Sequence, residues 1–167
     1  MSWVEHVRGA FAYNEWANER VLAAADKLSD EQLAGERGGS RGSVADNLAH
    51  LVDTQIGWAA VISETDFTPP QPVPEQDIMA ALRQRFAESH ARLREITDEL
   101  TDESLSTVVR RERGGQVHGY SRWQMLLHLA THGTQHRAEI GLSLLALDAS
   151  PGDLDALFFF PDLGAEG

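Results

Sequence analysis

The sequence contains no cysteine, which excludes a disulfide framework, a thiolate metal site and a thiol nucleophile of the chain's own. Any metal ion must therefore be held by histidine, aspartate or glutamate. Basic residues are also scarce, 14 against 26 acidic ones, and the resulting formal charge of -12 repels a phosphate backbone over most of the surface. With no Lys/Arg run to offset this, no nucleic-acid partner is expected. Long apolar runs are missing as well: no window reaches the length that spans a bilayer, so no membrane partner is expected. The opening Met1-Ser2-Trp3-Val4-Glu5-His6 lacks a basic segment followed by an apolar core, and the expectation is a cytoplasmic protein. Proline is confined as well, with four of the six residues between Pro69 and Pro74.

What is present is the balance of a globular protein, 42% hydrophobic and 24% charged, and 167 residues suit one domain spanning 1–167. From Ser2 to Leu28 the residues Val4, Val7, Ala10, Phe11, Trp16, Val21 and Leu22 recur largely at helical spacing behind a Ser2/Glu5 capping box, which predicts a first helix. Ser29 and Gln32 suggest a short capped turn, and Gly35, Gly38, Gly39 and Gly42 a loop. A second helix runs from about Val44 to Ser63 with Leu48, Leu51, Val52, Ile56 and Ala59 as its inward stripe. The prolines make residues 66–74 a crossing linker. A third helix is expected from about Glu75, with Pro74 in its first turn, to Leu100, carrying Ile78, Leu82, Phe86, Leu93 and Ile96. Residues 106–120, with Gly114-Gly115 at the turn, read as a small hairpin. A fourth helix begins at the Ser121/Gln124 pair and ends near Leu147, with Leu157 to Phe160 packing as a tail. Helices of this length favour an all-α, up-and-down four-helix bundle with a hairpin excursion between helices three and four. Of the four tryptophans, Trp16, Trp58 and Trp123 are expected mostly in its core.

Three of the seven histidines, His128, His132 and His136, stand four apart on the fourth helix. Each four-residue step turns the helix by about 400°, so two neighbours can share one ion while all three on a straight helix cannot. A third imidazole must come from a facing helix, and His50, between Leu48 and Leu51, is best placed. A faint echo of residues 43–51 in residues 121–129 supports the pairing: it sets His50 and His128 at equal helical depth and brings His132, one turn on, near His50. The plain alternative is that these are ordinary core histidines. His6, His90 and His118 lack such company and are expected on the surface or in loops.

Tyr13-Asn14-Glu15-Trp16-Ala17-Asn18-Glu19-Arg20, His50 with Trp58 downstream, and His132-Gly133-Thr134-Gln135-His136-Arg137-Ala138-Glu139-Ile140 resemble the DinB superfamily of damage-inducible and thiol-transferase-like proteins, in order over nearly the whole chain. The resemblance implies a four-helix bundle, often a homodimer, with one divalent ion on His50, His132 and His136. Ala138 and Glu139 stand where the family commonly has Gly and Gln, a departure that bears on the dimer contact or the pocket shape. His128 is left as a residue that orients a ligand or lines the pocket.

Three neutral imidazoles leave the ion a net +2 and an open position, which can lower the pKa of a bound water or thiol. The family's transferases and isomerases use low-molecular-weight thiols such as bacillithiol or mycothiol, which here implies a borrowed small-molecule thiol and an electrophile as partners. Zinc or nickel heads the expected metals, with iron or manganese next, because imidazole suits several of them. The other reading is a metal-binding stress-response protein without catalysis. Asp53 or Asp46 could accept a ring N–H from His50, although Asp46 also suits the helix N-terminus. Arg137 could meet an anionic substrate or a carboxylate across a dimer, or form an ordinary surface ion pair.

Overall fold

The computed structural model describes residues 2–36 and 40–161; the expected loop glycines Gly38 and Gly39 lie outside them. Four long helices are present: α1 (Trp3–Ala25), α3 (Val44–Ile62), α4 (Ile78–Asp98) and α6 (Arg122–Leu145). Between them come the short helices α2 (Asp30–Ala34) and α5 (Asp102–Leu105), the strands β1 (Val108–Arg113) and β2 (Gln116–Ser121), and a closing 3₁₀ turn at Ala156–Phe158. No described helix is long and apolar enough to cross a membrane.

Local chemistry accounts for the boundaries. Ser2 and Ser29 each form the reciprocal capping box with the residue three further on. At α6, Gln124 Oε1 accepts from both the amide and the hydroxyl of Ser121. The hairpin turns on Gly114 and Gly115, both at positive φ, as a two-residue loop requires. Helix α4 starts three residues later than the proline pattern suggests, and Pro74 lies outside its first turn. The cause is tertiary. Asp30 on α2 accepts from the amides of Asp77 (2.9 Å) and Ile78 (3.2 Å), capping α4 from outside while Asp77 adopts a left-handed conformation. The α5 turn, capped by Thr101 and Ser104, was not anticipated, being too short for a periodic pattern.

Each long helix packs against two others, α1 and α3 both touching α4 and α6. The apolar interior falls into two clusters. One joins Val21, Leu22, Leu48, Leu51, Ile78, Leu82, Ile140 and Leu144; the other joins Val4, Phe11, Ala59, Ile62, Leu93, Ile96, Leu126 and Leu129. Each fully buried leucine or isoleucine in them contributes about 1.5–3 kcal/mol. Reading the numbers through the clusters gives the helix directions: α1 and α6 run from the second cluster to the first, α3 and α4 from the first to the second. The order is thus up-down-down-up, which corrects the expected up-and-down arrangement. The physical reason is the linker of residues 63–77: fifteen extended residues reach about 50 Å, ample to run back along a helix of about 31 Å and start α4 parallel to α3.

Between the clusters lies a polar layer to which every long helix contributes: Asn14 and Asn18 of α1, Gln55 of α3, Ser89 and His90 of α4, His136 and Arg137 of α6, all buried. The tail covers α1 only in part. Tyr13 donates to the Leu154 carbonyl and Phe159 packs on Tyr13 and Trp16, whereas Leu157 and Phe158 face outward, against the expectation that all of 157–160 would pack.

Candidate metal centre

His50 lies two turns into α3, and the apolar residues around it, Leu48, Leu51 and Val52, share a core cluster with Ile140 and Leu144 of α6. That packing fixes the facing registers of α3 and α6, so His50 meets the α6 turn carrying His132 and His136. Their ring centroids are 5.2 Å (His50–His132), 4.6 Å (His50–His136) and 4.3 Å (His132–His136) apart. One nitrogen from each ring lies within 4.8 Å of the others, a group that could hold a metal ion. An ion about 2.0–2.1 Å from each nitrogen sets tetrahedral ligands about 3.3 Å apart, so closure needs movements of about 1.5 Å or less.

Electrostatics favour neutral rings. Burial, helped by His136 and His50, pushes the His132 imidazole down to about 4 from 6.5. Burial and then the Arg41 cation lower His50. Both are then unprotonated near neutral pH, the form that ligates. His136 is the most enclosed of the three, and its Nδ1 is buried without a hydrogen bond of good geometry; the nearest acceptor is the Glu139 carboxylate, 3.4 Å away. A buried imidazole nitrogen in this condition is costly in a plain core, and a carboxylate behind a ring is how metal-bound histidines are commonly oriented. The donor set thus fits a divalent metal ion.

Two neighbours of this group escaped sequence reasoning. Glu139 accepts from Ser40 and from Gln135 (3.3 Å), tying the segment before α3 to α6 at the edge of the site, and the Ser40 hydroxyl is the main reason its carboxyl is lowered. Its i+3 offset from His136 was the available signal. Arg41 donates from Nη2 to His50 Nε2 at 3.3 Å, and nothing in its loop sequence marks it. His128 stands outside the group, exposed, its ring 5.6 Å from His132 and 5.1 Å from Trp58.

Several expectations need correction. Asp53 does not face His50; it pairs with Arg85 at 3.3 Å, an acid one turn along α3 being drawn to the cation on α4. Asp46 accepts from Ser43, the capping role that was its alternative. His90, expected at the surface, is buried: it follows Phe86 by four and precedes Leu93 by three, so it shares the inward stripe, and its Nε2 accepts from Asn18 at 3.1 Å. His6 is exposed, and His118 is half-buried on β2. Trp123, in the first turn of α6, is exposed rather than core, as is Leu127 one turn on. Arg137 is neither a surface ion pair nor open to a substrate. It is 2% exposed, Nη1 donating to Asn14 Oδ1 (2.6 Å) and Asn18 Oδ1 (2.9 Å), with Tyr13 beneath the guanidinium. The string around Asn14 and the string around His136 are thus joined in space by this cation.

Residues 4–160 match the model of the DinB family. The chain belongs to the DinB family. A crystal structure described as that of the conserved protein of locus from Enterococcus faecalis superposes with a TM-score of 0.65 at 12% identity, covering 86% of this chain and 96% of that one. At that identity the likeness speaks for the fold alone. Among proteins with curated functional descriptions none matches this DinB-family chain.

Proposed function

We propose that this DinB-family protein is a metal-dependent thiol S-transferase, holding one divalent ion on His50, His132 and His136 and joining a small-molecule thiol to an electrophile. The observation that carries the reading is the approach of three histidines to within 4.8 Å of one another in a chain without cysteine. When bound, a dication on three neutral imidazoles supplies a Lewis acid with an open position, able to make a thiolate available near neutral pH.

The chain's residues supply the rest. His50 from α3 and His132 from α6, both lowered chiefly by burial, present unprotonated rings beside that of His136. Glu139 faces His136 Nδ1 and favours the N–H on that nitrogen, leaving the other nitrogen as donor. Arg41 sits at the rim beside His50, where an anion can draw it away. Zinc or nickel is proposed first, iron or manganese after them. A homodimer and a cytoplasmic stress-response setting belong to the same proposal, as does the alternative of metal binding without catalysis.

The test is consumption of a chromogenic electrophile such as 1-chloro-2,4-dinitrobenzene with a panel of small thiols, by metal-loaded wild type and by His50→Ala. Thiol-dependent turnover in wild type and none above background in the variant supports the enzyme. Loaded wild type that turns over no thiol favours the binding protein, and equal turnover in both removes the three histidines from the reaction.

A further inference from the structure

The two faces of the hairpin are not sorted into one apolar and one polar row. In a two-stranded ribbon lying on a helical body, the inward row should be apolar and the outward row polar. The register pairs Val109 with Tyr120 and Arg111 with His118, so these four share one face, and the burial of Val109 marks that face as the inward one. Val108 and Val117, on the opposite row, are exposed. Arg111, His118 and Tyr120 thus share the face of Val109, with Arg111 and Tyr120 still exposed and His118 half-buried.

They border a cavity of about 510 Å³ whose other walls include Trp58, Met125 and His128. No carboxylate lines it, and among the described residues the exposed Arg111 side chain makes no hydrogen bond or ion pair, its strand pairing with His118 being through the backbone. Among the described residues Arg111 is thus the one cation on the wall of this cavity, and no acid on that wall neutralises it. None of the three grouped histidines lines the cavity; the link between them is His128, which lines it and whose ring lies 5.6 Å from that of His132.

We propose that this cavity binds a small organic carboxylate with a flat, unsaturated body, and that in the reaction proposed above it receives the electrophilic substrate. Arg111 takes the carboxylate through the two-pronged geometry only a guanidinium offers. Trp58 and Tyr120 flank the flat body, and His128 stands at the end nearest the ion. The binding step rests on the cavity alone, while the substrate assignment rests on the metal-centre reading.

Trans-cinnamate is a suitable probe and trans-cinnamamide its neutral control, measured by calorimetry and by the Trp58 indole N–H resonance, assigned through Trp58→Phe. The experiment uses metal-free wild type and also His132→Ala, so it does not depend on the ion. Cinnamate should bind in both and shift the Trp58 resonance, cinnamamide should bind about tenfold more weakly, and Arg111→Gln should cost about tenfold for cinnamate alone, as loss of a charge-assisted pair requires. Arg111→Lys should restore part of that loss, and Arg110→Gln, opposite Gly119 on the outward row, should bind cinnamate as wild type does. Equal affinity of cinnamate for Arg111→Gln and wild type, or no preference over the amide, would overturn the proposal. Wild type that binds cinnamate but never an ion would leave the cavity standing and remove the metal reading; the opposite pairing would do the reverse.

Discussion

Arg41 Nη2 stands 3.3 Å from His50 Nε2, so a permanent cation donates to a nitrogen of the candidate metal centre. Because a guanidinium only donates, the contact makes Nε2 the acceptor and places the ring proton on Nδ1. An incoming dication must compete with this cation. Arg41→Ala is therefore expected to bind zinc severalfold more tightly than wild type, measured by competition with a chromogenic chelator. Weaker binding would show that Arg41 supports the site.

Glu139 lies on the far side of His136, 3.4 Å from Nδ1. A carboxylate in that position orients the ring and raises its basicity, and its loss commonly costs about 10–100-fold in metal affinity. Glu139→Ala should weaken zinc binding by about tenfold while leaving one site per chain. Affinity equal to wild type would reduce Glu139 to a tie to Ser40.

Gly133 touches the buried cation. A Cβ there would lie 2.6 Å from Asn14 Oδ1 and 2.8 Å from Arg137 Nη1, a close approach that only glycine permits. Alanine ordinarily gains about 0.5–1 kcal/mol over glycine inside a helix, but here the overlap should outweigh the gain and give a net loss of about 1–3 kcal/mol. Urea unfolding of Gly133→Ala measures it, and a more stable variant would mean that Arg137 and Asn14 rearrange freely.

Protons should act on the metal-free protein through His132. Its ring titrates near 4 in the folded chain against 6.5 unfolded, so between these values the unfolded chain binds a proton that the folded chain refuses. Stability is therefore retained above about pH 6.5 and falls as pH drops towards about 4, with the lowered His50 acting in the same direction. Urea midpoints across this window should fall less in His132→Asn than in wild type. Parallel curves would contradict a shifted His132.

Much of this was legible in the sequence because it rests on periodicity and caps. The four long helices follow from apolar spacing and the hairpin turn from its two glycines, while the grouping of His50 with His132 and His136 came from the family resemblance, the spacing alone leaving the pair on the fourth helix open. The helix directions were not legible, because a proline-rich linker reads the same whether it turns back or crosses over. The partners of single charged residues were hidden too: Asp53 chose Arg85, Asp30 capped α4 and Arg137 joined Asn14 to Asn18, each across more than 30 residues of sequence. His90 was legible from its place after Phe86, a stripe that extends further than expected.

The most direct test of the central claim is elemental analysis of protein purified without chelator, for wild type and for His50→Ala, His132→Ala and His136→Ala, with circular dichroism to confirm that each variant keeps its helices. The account predicts about one equivalent of a divalent metal in wild type and essentially none in each folded variant. Wild type that takes up no zinc, nickel, iron or manganese, or a folded His132→Ala that still holds a full equivalent, would contradict it.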